Sequence, residues 1–114
     1  MSDTSSVRWT DLSAFQRDLL EAIRTLKLRN ETSYGLAIKQ ELDERYDEEV
    51  NHGRLYPNLN KLVGAGLVKK DALDERTNRY LLTASGVALL EDRARTLDHL
   101  AGEARVATDG GAFR

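Results

Sequence analysis

The stretch "NHGRLYPNLNKLVGAGLV", Asn51 to Val68, pulls in two directions. Leu55, Leu59 and Leu62 fall at the spacing of one helical face, and Gly66 stands where such a helix would stop. Yet its first two turns hold Gly53 and Pro57, the chain's one proline. Early in a helix the amide of residue 57 would bond only to the carbonyl of Gly53. A proline there costs less than at a helix centre, though more than at the first position. At 100° per residue, Leu55, Tyr56, Leu59, Leu62 and Val63 form one arc, and Gly53, Arg54, Pro57, Asn58 and Lys61 fall on the opposite one. That second arc contains no acid. Its residues are small, basic or amide, which suits a surface pressed against a polyanion. Gly53 would let a phosphate or base edge approach the backbone, and Pro57 offers a compact apolar surface. Both also have a purely structural reading, in which they only shape the packing of the helix and the turn before it.

The elements around this helix follow from the same periodicities. Leu12, Phe15, Leu19, Ala22, Ile23 and Leu26 keep one apolar helical face, with Thr10 or Asp11 as cap and an end near Arg29. Ser33 is expected to cap a second helix, "SYGLAIKQELDERY", with Leu36, Ile38, Leu42 and Tyr46 inward or half inward. Asn51 caps the third helix, 51–65. "LVKKDAL" and "RTNRYLLT" read as the strands of a hairpin, 67–82, joined by "DERTN". Thr83 caps a last helix in which Val87, Leu90, Ala94, Leu97, Ala101 and Ala104 step by three and four, a coiled-coil seam. The expected division is a flexible arm at 1–10, a body at 11–83, a dimerisation helix at 84–107 and a disordered tail at 108–114.

Charge and composition exclude several classes of function. The net charge of −2 does not announce a nucleic-acid binder, but its distribution matters more than its total. Residues 41–49 carry six acids and one base, whereas residues 50–83 carry six bases and three acids, a local net of +3. The basic segment is the one with the irregular helix. There is no cysteine, and the two histidines, His52 and His99, have no ligand-like spacing. Disulfides, thiolate chemistry and a metal centre are therefore not expected. No base sits beside a nucleophile and no Gly-rich phosphate loop is present, so an enzyme and a bound cofactor are not expected either. No apolar run approaches a membrane span of about 18 residues, and no signal-peptide pattern opens the chain. A cytoplasmic protein with no membrane partner is the expectation. Arginine outnumbers lysine twelve to five, and aspartate outnumbers lysine ten to five, a hint of a salt-adapted cytoplasm.

Helix, helix, turn, helix and hairpin is the order of a winged helix-turn-helix: a mainly α fold with a three-helix core, a two-stranded β wing and a C-terminal helix. The third helix would enter the major groove, and the hairpin tip would reach the adjacent backbone or minor groove. Three runs carry a family resemblance: "SYG", "GRLYPNLNKLVGAGLV" and "NRYLLTASGVALLE". They are similar to the PadR-type transcriptional regulators over roughly residues 15–95. The chain departs from that pattern at His52, where proline is usual, and at Arg54, where Ser or Thr is usual. Both changes add donors near the start of the recognition helix. The resemblance implies a homodimer on an inverted-repeat operator in double-stranded DNA, and an unidentified small-molecule or ionic effector. The alternative is a winged helix used only to bind protein.

Each candidate has a chemical role and a plainer reading. Arg54 reads as a guanine or phosphate contact. Asn58 pairs with adenine or merely faces water. Lys61 suits a phosphate. Asn51 is first a cap, and His52 is a phosphate donor or a solvated first-turn residue. Ser33 and Tyr34 stand where a helix N-terminus can take a phosphate, Tyr34 also being readable as half-core. On the wing, Arg76, Asn78 and Arg79 are backbone or minor-groove candidates, and Arg79 has a second reading as a cross-strand partner of Asp71. Tyr56 and Tyr80 read as core. Trp9 and Phe15 are expected to join Val87, Leu90, Ala94, Leu97, Ala101 and Ala104 in the dimer interface.

Overall fold

Ser13 starts the first long helix. Its hydroxyl accepts from the Gln16 amide while the Gln16 side chain accepts from the Ser13 N–H, a reciprocal capping box. The computed structural model describes residues 7–109, with side chains to residue 102. Helix α1 (Ala14–Leu28) buries Phe15, Leu19, Leu20, Ala22, Ile23 and Leu26. The expected caps, Thr10 and Asp11, lie instead in a 3-10 turn (Trp9–Asp11). Asp11 accepts from the Arg8 backbone and guanidinium, which closes that turn before the helix begins. Of the expected flexible arm, residues 1–6 lie outside the described residues. Trp9 is half-buried, with the guanidinium groups of Arg17 and Arg93 5.6 and 5.9 Å from its ring centre.

Helix α2 (Gly35–Tyr46) departs from expectation at its start and ends at Tyr46, as expected. Its N-cap is Tyr34, with no side-chain capping bond, because Ser33 is used elsewhere. Ser33 is buried, its carbonyl accepts from Tyr80 N–H, and its hydroxyl donates to the Tyr80 carbonyl. Leu36 faces outward, 49% exposed, while Lys39 is buried instead. The Lys39 ammonium donates to Asp43 at 2.9 Å and Glu49 at 3.3 Å, and the other oxygen of Asp43 accepts from Val50 N–H at 2.7 Å. One carboxylate thus neutralises a buried cation and ties down the turn into the next helix. The acids near the end of α2, unfavourable for the helix dipole, are in part explained by these bonds.

Those bonds hold the Asp43 carboxyl below its ordinary value, the Lys39 bond first and the Val50 amide second. A carboxyl depressed on folding stabilises the fold fully above its ordinary pKa of 3.8. That stability is lost as pH falls through the folded value. The acid limb of an unfolding-versus-pH curve should therefore shallow in Asp43→Asn. An unchanged limb would count against the bond pattern.

Helix α3 (His52–Gly64) is capped by Asn51, whose side chain accepts from Gly53 N–H. It ends through Gly66 at φ 78°, with Leu67 N–H reaching back to the Leu62 carbonyl at 3.1 Å. Strands β1 (Val68–Ala72) and β2 (Asn78–Leu82) pair antiparallel, Val68 opposite Leu82 and Asp71 opposite Arg79. The Ser33–Tyr34 segment lies along the other edge of β2 as a short bridge. Leu19, Leu20, Ile23, Ile38, Leu42, Leu55, Leu59, Leu62 and Leu67 close the core between the three helices and the sheet.

Thr83 launches α4 (Ala84–Asp109). Its hydroxyl donates to the Gly66 carbonyl at 2.6 Å and accepts from Gly86 N–H at 3.1 Å, and its own N–H donates to the Leu67 carbonyl. Val87, Leu89 and Leu90 are half-buried, Leu89 and Leu90 against the core, whereas Ala94, Leu97, Leu100 and Ala101 are exposed. Ala104 lies outside the described side chains. No helix among the described residues is long and apolar enough to cross a membrane.

Candidate nucleic-acid interface

The exposed surface of α3 has a centre and two flanks. Gly53, Pro57, Asn60 and Lys61 lie opposite the buried leucines and are all exposed. Asn60 was not among the expected contacts, although its wheel position places it there. No acid occurs on the helix.

One flank faces α1. The Arg54 guanidinium lies 4.0 Å from the Phe15 ring centre, and Phe15 also meets Tyr46 at 6.3 Å. The Tyr46 hydroxyl donates to Asp18, and burial, then that bond, pushes its phenol up. Phe15 is 5% exposed, so it is a core residue of one chain and not a dimer contact. Asn58 is half-buried on this flank. Its amide donates to the Arg54 carbonyl at 2.8 Å and its oxygen accepts from Gln16 at 3.0 Å. Asn58 therefore clamps α3 to α1, and neither points outward to a base nor merely faces water, the two roles expected of it.

The other flank faces α2 and the hairpin. His52 stacks on Tyr56, with ring centres 6.0 Å apart and planes within 10°. Tyr56, expected in the core, is 37% exposed. Its hydroxyl lies against Gly35, so a side chain at position 35 would displace the Tyr56 ring. Tyr34 is 38% exposed at the start of α2. Ser33, one residue earlier, is buried and its hydroxyl is committed to Tyr80, so it cannot serve a phosphate.

The hairpin tip is shaped by Asp74, which accepts from the N–H groups of Arg76 and Thr77 at 2.8 Å each. The Arg76 backbone bond, the larger cause, holds the Asp74 carboxyl below its ordinary value. Arg76 is exposed and has no carboxylate partner among the described residues. Asn78 opens β2 and faces the groove described next. Arg79 is spent: its guanidinium donates twice to Asp71, at 2.9 and 3.0 Å, on the opposite face from Tyr80. The cross-strand reading of Arg79 is the one observed.

Between Tyr56, the start of α2 and the hairpin runs an open groove of about 660 Å³. Leu36 and Leu73 flank it, Arg76 stands at its rim and no acid lines it. Among the six acids of residues 41–49, Glu41 pairs with Arg29 and Arg45, and Asp43 and Glu49 with Lys39. Arg76 and Lys61, like Lys69 and Lys70 on β1, have no carboxylate partner among the described residues. Among the described residues no group of three potential metal ligands comes together.

The comparisons agree with this geometry. The model of the transcriptional regulator PadR-like family matches residues 26–92. The complex structure of hsRosR-S1 is 45% identical to the chain, covering 99% of it and 100% of the relative, with a TM-score of 0.68. RosR of Halobacterium salinarum, from crystals grown from NaBr, is 47% identical over 90% of the chain and 97% of its own, with a TM-score of 0.66. A transcriptional regulator from Clostridium thermocellum is 20% identical at a TM-score of 0.55, covering 82% of this chain and 95% of its own, which speaks for the fold alone. No curated protein matches the chain.

Proposed function

Because the chain belongs to the PadR-like family of transcriptional regulators, a family of non-enzymatic regulators, we propose that it acts as a homodimer on an approximate inverted-repeat operator. Residues 11–83 form the DNA-binding unit and 84–107 the dimerisation helix. Helix α3 enters the major groove, and the hairpin lies on the flanking backbone or minor groove. The observation that carries this reading is the acid-free exposed surface of α3 beside cations that no carboxylate neutralises. Two-fold symmetry would set the half-site centres about 34–36 Å apart, or a multiple of that. A footprint with one asymmetric half-site would contradict it.

Division of labour is testable in a mobility-shift series. Arg54→Ala should cost about 1–3 kcal/mol and relax preference at one position in each half-site. To read a base, Arg54 keeps or leaves its seat on Phe15, which an exposed cation–π contact of about 0.5–1 kcal/mol permits. Lys61→Ala and Arg76→Ala should weaken binding about equally on all sequences, each lowering the salt slope by about one. No binding to any duplex at any salt would favour the protein-interaction alternative. The low lysine and high aspartate content, with the relationship to RosR of Halobacterium salinarum, supports a salt-adapted protein. Measured from low to molar salt, a flat or rising affinity would support that version, whereas a steep, monotonic loss would remove it.

A further inference from the structure

Helix α4 leaves the body at one joint and is then held by little. The Thr83 hydroxyl and the tight seat of Gly86 fix its first turn. Leu89 and Leu90 rest on the core, Arg93 is half-buried, and every residue from Ala94 to Ala101 is exposed. The last point before that exposed stretch at which α4 meets the body is Arg93, whose guanidinium lies 5.9 Å from the Trp9 ring centre. Trp9 is itself well fixed. Its carbonyl accepts from Arg17 Nε–H at 3.0 Å and from Leu12 N–H at 3.2 Å, and Arg8 with Asp11 closes the turn that carries it. The Arg17 guanidinium lies 5.6 Å from the ring centre, and the ring packs against the core. Neither guanidinium pairs with a carboxylate among the described residues, and Asp92, next to Arg93, pairs with Arg95 instead. Tryptophan is the best aromatic partner for a cation, so the Arg93 contact needs no opposite charge.

We propose that Trp9 and Arg93 form a latch that sets the direction in which α4 leaves residues 11–83, and so determines which half-site spacing the dimer accepts. Both are positioning residues, acting through α4 and not through contact with DNA. The inference rests on the homodimer reading above. A rod held only at its first turns magnifies error at its far end. Leu97 lies about 20 Å along α4 from its start, at about 1.5 Å per residue. A tilt of about 10° at the joint would carry the dimer seam about 3.4 Å sideways, the rise of about one base-pair step. Arg93 lies more than halfway from the joint to Leu97, so a contact there removes much of that freedom. A tilt of α4 thus becomes a change in the distance between the two copies of α3.

Arg93→Ala tests this in the full chain, and its melting temperature should match that of the wild type. The probes are duplexes whose half-sites stand one base pair closer or wider than in the operator. On these the wild-type protein should lose affinity steeply, and Arg93→Ala should lose about tenfold less, one weak cation–π contact being released in each protomer. Affinity for an isolated half-site and the dimer seen in ultracentrifugation should not change. Trp9→Leu should relax the spacing preference as Arg93→Ala does, while Trp9→Phe, which keeps an aromatic face, should retain most of it. Trp9 is the chain's one tryptophan, so its emission should move to longer wavelength in Arg93→Ala as water reaches the ring. A wild-type spacing preference in Arg93→Ala, whatever its emission, would show that the joint at Gly86 alone aims α4 and would overturn the proposal. So would an equal loss of affinity on every spacing, the mark of a residue that only holds the fold. If the wild-type protein binds an isolated half-site as tightly as the full operator, the homodimer reading itself fails, and the latch with it.

Discussion

Gly86→Ala is expected to destabilise the protein by about 3 kcal/mol, at the upper end for overpacking at a rigid contact. Gly86 is buried in the first turn of α4, and a Cβ there would collide with the carbonyl oxygen of Leu67. That oxygen has no room to retreat: it already accepts from Thr83 N–H at 3.0 Å, at the joint where α3, β1 and α4 meet. Pushing it away would also disturb the Thr83 hydroxyl, which links the Gly66 carbonyl to Gly86 N–H. For a domain of this size the melting temperature should fall by roughly 12 °C or more. Thermal unfolding of the variant checks this directly. A loss below about 2 °C would mean that α4 does not leave the core where the Leu67 contact places it. Gly64 is the matched control, since a Cβ there meets nothing, and Gly64→Ala should be neutral or slightly stabilising.

Leu97→Asp should abolish the proposed dimer without unfolding the monomer. Leu97 is 49% exposed and Leu100 58%, on a stretch of α4 beyond its contacts with the core. Ala94 and Ala101 beside them are small and exposed, so a second copy can approach closely. A carboxylate at 97 would be buried without a partner in such an interface, yet it would face water in the separated chain. Ultracentrifugation should therefore report a folded monomer. Operator affinity should fall by a factor on the order of 100 or more, since two linked half-sites become two independent weak ones. A stable dimer at the same concentration would show that the interface lies elsewhere. Leu100, which the three-and-four stepping passed over, should behave like Leu97 when replaced by aspartate.

Much of the architecture was legible before any coordinates. Asn51 capping α3, Gly66 ending it and Thr83 launching α4 all appear where local rules put them. These signals act within a few residues of the chain, so they survive whatever the rest of the molecule does. The start of α1 is also a local matter: the Ser13–Gln16 box spells it in the sequence, just beyond the Thr10 and Asp11 expected as caps.

The candidate interface divides differently. Periodicity was enough to put Gly53, Pro57 and Lys61 on the outer side of α3, because a helix of known phase presents a known face. Periodicity could not say which polar side chains there were free. Ser33 is consumed by Tyr80, 47 residues away, and Asn58 by Gln16, 42 residues away. Arg79 was the intermediate case, since its partner Asp71 sits across a hairpin short enough to guess. Sequence by itself determined the order of elements, most of their ends and the acid-free face, all products of short-range geometry and charge. Only the tertiary structure decided that Leu36, Tyr56 and Leu73 converge on one groove beside Arg76. That grouping depends on the Tyr56 ring lying over Gly35 and on β2 lying along the Ser33–Tyr34 segment, and packing between distant segments sets both.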